Sequence, residues 1–172
     1  LKDDTRTYLK DFSMRVNKDD KIGFIGDEIS ITKFFQAICE EEENYEDQMK
    51  WGQTITKEYF PKDNSKFFDG VDLNLIDWLR QSEIFIRGFL GKMLFSGDET
   101  KKKANVLSGG ERVRMMFSKM MINSSNVIVL DQPTNHLDLE SIEAVNNGLI
   151  SYKGNILFTS LDHQFISSIA NR

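Results

Sequence analysis

The chain has few of the features that mark secreted or membrane-spanning proteins. It contains a single cysteine, Cys39, so no disulfide can form within it. No run approaches the roughly 18 consecutive apolar residues of a membrane-spanning helix, and the N-terminus lacks a signal-peptide pattern. These absences predict a cytoplasmic protein with no transmembrane segment of its own.

The chain also lacks an excess of positive charge. Its formal net charge is −5, whereas a protein that binds nucleic acid over its whole surface is normally basic. With 172 residues, 40% of them hydrophobic, it is long enough for one domain with a substantial core. We therefore expect residues 1–172 to form a single domain. Because the sequence begins at Leu1 and stops at Arg172 in mid-pattern, we expect a fragment of a longer protein.

Hydrophobic patterning predicts an α/β fold. Apolar runs of strand length alternate with amphipathic helical runs, which is typical of a mostly parallel sheet flanked by helices. The loosely alternating segment Tyr8–Val16 predicts an antiparallel edge strand, and the middle of the chain is rich in helix. The predicted strands are Lys21–Ile25, Gln53–Phe60, Asn126–Leu130 and Asn155–Thr159; the predicted helices are Thr32–Glu42, Leu73–Arg80, Ile84–Met93, the run after Ser108, Leu139–Asn147 and His163–Ile169.

The segment LSGGE, from Leu107 to Glu111, has the composition of an anion-binding helix start. Ser108 and Glu111 have the spacing of a capping box, and Gly109 and Gly110 leave their backbone N–H groups bare of side chains. A helix N-terminus of this kind favours anions, above all phosphate. The helical run behind it carries one apolar stripe, namely Val113, Met116, Phe117, Met120 and Met121.

A second motif, VIVLDQPTNHLD, runs from Val127 to Asp138. Its apolar strand ends in Asp131, whose carboxylate can hold Mg²⁺ beside a phosphate. With LSGGE before it, the chain resembles the nucleotide-binding domain of ATP-binding-cassette (ABC) proteins. LSGGE matches the family signature, Val127–Asp131 the Walker B strand and Asn135–Asp138 the D-loop. The Asn-His-Leu-Asp form is similar to that of the ABC-F subfamily, soluble tandem ATPases that act on ribosomes.

The resemblance implies ATP and Mg²⁺ as cofactors, and it implies a helical subdomain at approximately 72–122. It also implies a partner, because each ATP of an ABC dimer lies between the Walker motifs of one domain and the signature of the other. Ser108, Gly109, Gly110 and Glu111 are then expected to bind ATP in trans. The partner would be a second nucleotide-binding domain of the same chain or a dimer mate.

The phosphate loop that the family uses is altered in this chain. Where the pattern GxxxxGK[ST] is expected, after the first buried strand, the chain has the sequence Gly26–Lys33. Aligned without a gap, Thr32 takes the lysine position and Lys33 the Ser/Thr position. With one residue deleted, Ser30 replaces the second glycine, Ile31 replaces the lysine, and Thr32 keeps a hydroxyl for Mg²⁺. We prefer the second alignment; the standard lysine is missing under both.

At three other positions, too, the chain lacks the residue that the family uses for hydrolysis. Gln132 stands at the general-base position, where a glutamine cannot accept the proton that a glutamate accepts. Leu161 stands at the position of the switch histidine, and Lys62 replaces a metal-binding glutamine. Removing one group that stabilises transferring charge typically costs about 10²–10³ in rate. We therefore expect this domain's own hydrolytic site to be degenerate.

The sequence predicts one half, by preference the C-terminal half, of a tandem ABC-F ATPase that acts on the ribosome in translation or antibiotic protection. The alternatives are a nucleotide-binding subunit of a membrane transporter and a non-catalytic interaction domain. Some smaller questions stay open. Lys62 or Lys33 can supply the missing positive charge or be solvated, Tyr8 can stack on adenine or lie in the core, and His163 is interpreted as a surface or capping residue. The basic run Lys101–Lys103 is interpreted as a solvated face.

Overall fold

The computed structural model describes residues 1–2, 5–39, 50–79, 83–135 and 137–172. The chain divides into two compact units. The sheet unit comprises Leu1–Phe60, Ser125–Pro133 and Lys153–Arg172, and the helical unit comprises Pro61–Ser124 and Thr134–Tyr152. The acidic run at 40–43, the connection at 81–82 and His136 lie outside the described residues.

Strands and helices alternate along the described residues, largely as predicted. The strands are β1 (Lys21–Gly23), β2 (Lys57–Phe60), β3 (Val127–Asp131) and β4 (Asn155–Thr159). The α-helices are α1 (Glu28–Ile38), α2 (Leu75–Leu79), α3 (Glu83–Lys92), α4 (Gly109–Asn123), α5 (Leu139–Ser151) and α6 (His163–Ile169). Short 3₁₀ turns lie at Ser65–Phe67, Gly97–Lys101 and Ala104–Val106. No helix in the described part of the chain is long and apolar enough to cross a membrane.

The four strands form one parallel sheet in the order β1-β4-β3-β2. All five residues of β3 are buried, as expected for a strand of a parallel sheet whose two faces are both covered. Asp131 pairs with Thr159, so the carboxyl ends of β3 and β4 lie side by side. In open parallel sheets, ligands bind beyond these carboxyl ends. The predicted α/β class with a parallel sheet and helices is confirmed.

The predicted edge strand Tyr8–Val16 is wrong. Residues 8–16 are fully described and form no strand; an isolated antiparallel bridge joins Lys2 to Thr7 instead. Met14 and Val16 nevertheless pack against the core of the sheet unit. The alternation of apolar residues in this segment therefore reflects side-chain burial without a ladder of backbone hydrogen bonds.

The core of the sheet unit lies between α1 and the strands. Its buried residues are Ile22, Phe35, Ile38, Val127, Val129 and Leu157. Phe24 and Phe34 pack against this core. The ring of Phe24 lies 5.5 Å from that of Phe34 and 5.4 Å from that of Phe35, measured between centroids. Burying an aromatic side chain removes a large apolar area from water. This packing fixes α1 and hence the position of its N-terminus.

The helical unit has its own buried residues. The rings of Phe68 and Trp78 stack at a centroid distance of 5.0 Å. Leu75 and Leu79, on the same helix as Trp78, are also buried. On α4, the predicted stripe is buried except at Met121, and Met115 and Ser118 are buried as well. The apolar face of α4 is therefore wider than a single stripe, which holds the N-terminus of this helix in a fixed direction.

Candidate functional site

The segment after β1 is shorter than the predicted phosphate loop. α1 begins at Glu28, so residues 28–33 form the first turns of a helix. The helix predicted from Thr32 therefore begins four residues earlier, and of the segment Gly26–Lys33 only Gly26 and Asp27 lie outside it. The signal for this earlier start is Asp27, because aspartate is among the residues preferred at a helix N-cap.

Asp27 caps α1 with its carboxylate. One oxygen, Oδ2, accepts hydrogen bonds from the backbone N–H of Ser30 at 2.9 Å and from the Ser30 hydroxyl at 2.6 Å. The Arg6 guanidinium donates to the same oxygen at 2.9 Å. The two bonds from Ser30, and then the charge of Arg6, hold the pKa of Asp27 below its usual value. An anion belonging to the protein thus lies at the helix N-terminus, where a phosphate would otherwise be favoured.

The other residues of the predicted loop lie on α1. Ser30 is buried and bound to Asp27. Ile31, at the lysine position of the preferred alignment, packs against the core of the sheet unit. Lys33 is half-buried in the second turn of the helix. Ile31 has no positive charge and no hydrogen-bond donor in its side chain, so it offers nothing in place of the lysine.

Thr32 and Asp131 lie in direct contact. The Thr32 hydroxyl donates to Asp131 Oδ2 at 2.7 Å, and the Tyr59 hydroxyl lies 3.4 Å from the same oxygen. Asp131 is fully buried. A hydroxyl and a carboxylate are oxygen ligands of the kind that Mg²⁺ prefers, so these two residues fit the metal that the family uses. Tyr59 was not foreseen, because its place beside Asp131 depends on the pairing of β2 with β3.

A small cleft of about 120 Å³ opens at the carboxyl ends of β3 and β4. Gly26, Glu28, Gln132, Ser160, Leu161 and His163 are among the residues that line it. Pockets that enclose a small ligand usually measure about 300–1,000 Å³, so this cleft alone would hold only part of a nucleotide.

Gln132 and Leu161 stand at the edge of this cleft with different exposures. Gln132 is 5% exposed, has a left-handed backbone (φ 51°), and donates its N–H to Thr159 O at 3.1 Å. Leu161 is 75% exposed. His163 is exposed at the first position of α6, but the cap of that helix is Asp162, which accepts from two backbone N–H groups. The structure thus brings Gln132 and Leu161 to one cleft.

The remaining candidates lie elsewhere. Lys62 is exposed and belongs to the helical unit, directly after Pro61. Tyr8 is half-buried, with the Arg6 guanidinium 5.7 Å from the centroid of its ring. Asn135 belongs to the helical unit, where Asp138 caps α5 by accepting from the backbone N–H of Ser141 at 2.8 Å.

The N-terminus of α4 is the second helix start of interest, and the predicted capping box is present. The Ser108 hydroxyl accepts from the Glu111 backbone N–H at 3.3 Å, and Glu111 Oε2 accepts from the Ser108 backbone N–H at 2.9 Å. A Cβ added at Gly109 would meet nothing within 4 Å outside its own turn of helix, and one added at Gly110 would lie 3.6 Å from Leu137. The glycine N–H groups are therefore bordered by open space.

The Glu111 side chain also forms an ion pair with a lysine that precedes LSGGE in the sequence. Lys102 Nζ lies 2.7 Å from Glu111 Oε1 and 3.4 Å from Glu99 Oε1. Burial opposes ionisation of Glu111, but the bonds from Lys102 and from the Ser108 N–H hold its pKa below the usual value. The neighbouring lysines are paired too, Lys101 with Asp98 and Lys103 with Asp72. The basic run is therefore neutralised locally.

A parallel sheet that ends in a buried aspartate beside a hydroxyl, together with an open helix start at LSGGE, defines a nucleotide-binding domain of the ABC type. A family model described as ABC transporter matches residues 9–135. The chain belongs to this family, whose members bind ATP, typically with Mg²⁺, and generally hydrolyse it.

Individual relatives agree with this assignment. The chain is 58% identical over 171 residues to the uncharacterized ABC transporter ATP-binding protein YkpA of Bacillus subtilis, a match that covers 95% of this chain and 32% of that protein. It is 42% identical over 87 residues to ABC transporter F family member 5 of Arabidopsis thaliana, covering 51% of this chain and 13% of that protein. The fold matches the archaeal ribosome recycling factor, solved in complex with the archaeal ribosomal stalk protein, with a TM-score of 0.78, 23% identity, and coverage of 91% of this chain and 32% of that chain.

Proposed function

We propose that this chain is one nucleotide-binding domain of a tandem ABC-F type ATPase and that it completes the ATP site of a second nucleotide-binding domain. One observation supports this above the others. The N-terminus of α4 is capped by a neutral hydroxyl and bordered by two unobstructed glycines, so its N–H groups can receive a phosphate from outside the chain. Ser108, Gly109 and Gly110 would contact the phosphate, and Glu111 would hold the loop that presents them.

The domain's own site is proposed to hydrolyse ATP poorly. At α1 the carboxylate of Asp27 would take the place of the phosphate, and the partly buried Ile31 would stand where the family has a lysine. Gln132 and Leu161 line the cleft at the two positions that would activate and sense the attacking water. Asp131 and Thr32 would still hold Mg²⁺, which supplies charge stabilisation to phosphate oxygens when it is bound. Binding and hydrolysis are thus separable in this half.

The ribosome enters the proposal through the ABC-F form of the D-loop and the ABC-F relative in Arabidopsis. The match to the archaeal recycling factor, at 23% identity, supports the fold alone. Since the chain spans 32% of YkpA, the second domain would lie in the remainder of the parent protein, with this chain as its C-terminal half. We propose a cytoplasmic protein that acts in translation or in antibiotic protection.

The test is Ser108→Arg in the full-length protein. The larger, cationic side chain fills the space in front of the glycines, so ATPase turnover should fall by about 10²–10³. The matched control is Ser96→Arg, since Ser96 forms the chain's other described capping box, with Glu99 on the 3₁₀ turn. It should keep turnover within about twofold. Unchanged turnover in Ser108→Arg would refute the proposal.

A second arm of this experiment addresses the partner. The wild-type full-length protein is incubated with ATP and sedimented with purified ribosomes or with membrane vesicles. Co-sedimentation with ribosomes is expected, whereas binding to vesicles alone would favour a transporter subunit. Nucleotide binding without turnover in the wild-type protein would favour a non-catalytic interaction domain.

A further inference from the structure

Lys102 contacts the last residue of the LSGGE segment, and no part of the proposed function assigns Lys102 a role. Its ammonium contacts Glu111 at 2.7 Å, and the other oxygen of Glu111 accepts the backbone N–H of Ser108 at 2.9 Å. Lys102, Glu111 and Ser108 therefore form a continuous chain of hydrogen bonds that ends on the residue at the head of α4. The Glu111 side chain is 13% exposed, so solvent screens this chain of contacts only partly.

Glu111 has opposing effects on a phosphate that approaches α4. Its carboxylate closes the capping box and so holds the backbone of Ser108 in place. The same carboxylate carries a negative charge near the point where a polyphosphate would arrive, and like charges repel. An adjacent cation removes most of that repulsion while leaving the cap intact. The residue that supplies the cation is Lys102.

We propose that Lys102 is a positioning residue for trans-acting nucleotide binding: it fixes Glu111 and offsets its charge, so that Ser108, Gly109 and Gly110 can receive a phosphate. This proposal rests on the proposed function, since it assumes that α4 binds the nucleotide of a second domain. Lys102 does not itself touch the nucleotide. It acts through Glu111 alone.

The other lysines of the run provide matched controls. Lys101 pairs with Asp98 at 2.7 Å, with both side chains largely exposed, and neither residue contacts the capping box. Lys102→Met therefore removes a charge beside Glu111, and Lys101→Met removes an equal charge from the same turn. Any effect of net charge alone appears in both variants.

The experiment measures KM for ATP and kcat in the full-length protein. Repulsion between unit charges about 4 Å apart in a water-like medium corresponds to roughly a fivefold change in binding, so Lys102→Met should raise KM about fivefold with a smaller change in kcat. Lys101→Met and the conservative variant Lys102→Arg should stay within about twofold of wild type, because guanidinium keeps the charge.

The double variant Lys102→Met/Glu111→Gln separates charge from structure. Glutamine can still close a capping box, so removing both charges should restore KM to within about twofold of wild type. A double variant as impaired as Lys102→Met would show a merely structural lysine and overturn the inference. So would equal behaviour of Lys102→Met and Lys101→Met when Ser108→Arg abolishes turnover. If Ser108→Arg itself has no effect, the proposed function fails instead.

Discussion

The chain has two helix N-termini that a nucleotide-binding domain uses for phosphate, and they are built in opposite ways. At α1 the cap is a carboxylate, Asp27, paired with Arg6. At α4 the cap is a hydroxyl, Ser108, followed by two glycines, and the acidic residue Glu111 is three positions along the helix. At each start, one carboxylate is bound by a basic residue, Asp27 by Arg6 and Glu111 by Lys102. They differ in whether the carboxylate occupies the anion position or lies beside it.

We expect this difference to weaken phosphate binding at α1 and to leave phosphate binding possible at α4. A helix N-terminus attracts an anion through its unpaired N–H groups and its dipole. Once one anion is bound there, a second anion is no longer favoured. At α1 that anion is Asp27, so we expect this helix to start stably and to bind phosphate weakly. Of the backbone N–H groups at the start of α4, Glu111 accepts that of Ser108, which leaves the glycine N–H groups for an external ligand.

The largest expected effect comes from making α4 resemble α1. Gly109→Asp places a carboxylate at the first position of α4, where an added Cβ meets nothing within 4 Å outside its own turn of helix. The fold should tolerate it, and an acidic residue in the first turn suits the helix dipole. Because that carboxylate competes with phosphate, turnover of the full-length protein should fall by about 10²–10³.

The control for this variant is Gly88→Asp, on α3 of the same unit. An added Cβ at Gly88 also meets nothing within 4 Å outside its own turn of helix. Its ATPase rate should match the wild type. Equal losses in the two variants would mean that acidic substitutions damage the helical unit in general, and the contrast between the two helix starts would lose its support.

A smaller effect is expected from making α1 resemble α4. Asp27→Ser keeps a capping residue but removes the internal anion, so ATP should bind the sheet unit about fivefold more tightly, as expected for removal of one unit charge about 4 Å away. Photolabelling of the full-length protein with an azido-ATP, followed by mapping of labelled peptides to residues 1–60, reports binding in this half alone.

Asp63→Ser is the matched control, because Asp63 accepts the backbone N–H and the hydroxyl of Ser65 at 2.9 and 2.6 Å, the same pattern that Asp27 makes with Ser30. Labelling of the sheet unit should not change in this control. If Asp27→Ser leaves labelling unchanged as well, Asp27 does not block phosphate, and the loss of the site must be attributed to the missing lysine.

The two helix starts also differ in how far the sequence predicts them. The capping box of α4 follows from Ser108 and Glu111, which are three residues apart, so a local pattern specifies it. The start of α1 was missed because the family pattern suggested a loop, whereas the local cap formed by Asp27 and Ser30 begins the helix at Glu28. Where local capping and a family pattern disagree, the local hydrogen bonds decided the structure.

Contacts that depend on tertiary structure could not be predicted. Tyr59 reaches Asp131 only because β2 pairs with β3, and Lys102 reaches Glu111 across the 3₁₀ turn that precedes LSGGE. The acid at the end of β3 was predictable, since an apolar run that ends in a polar residue is a local signal. The gapped alignment predicted only that Thr32 keeps a hydroxyl for Mg²⁺, and its 2.7 Å hydrogen bond to Asp131 depends on the packing of α1 against the sheet.

The smallest effect on the ATPase rate is expected from restoring a base at position 132. This change tests whether the internal anion at α1 limits hydrolysis more than the missing base does. Gln132→Glu restores a residue that can accept a proton, in a side chain of nearly the same shape that is 5% exposed. In an intact site a positioned base contributes about 10²–10⁴ in rate. Here Asp27 still caps the helix N-terminus and Ile31 still replaces the lysine, so the rate should change by less than about twofold, far below the roughly 10²–10³ that one group stabilising transferring charge typically contributes.

The measurement uses full-length protein that also carries Ser108→Arg, because that change silences the partner's site and leaves only turnover by the sheet unit. Gln132→Glu is compared there with Gln132→Ala, which offers no base. Equal rates mean that phosphate does not settle at α1 at all, since a base has no effect on a substrate that is not in place. A tenfold gain with glutamate would mean that ATP binds despite Asp27, and the two helix starts would then differ in catalysis but not in binding.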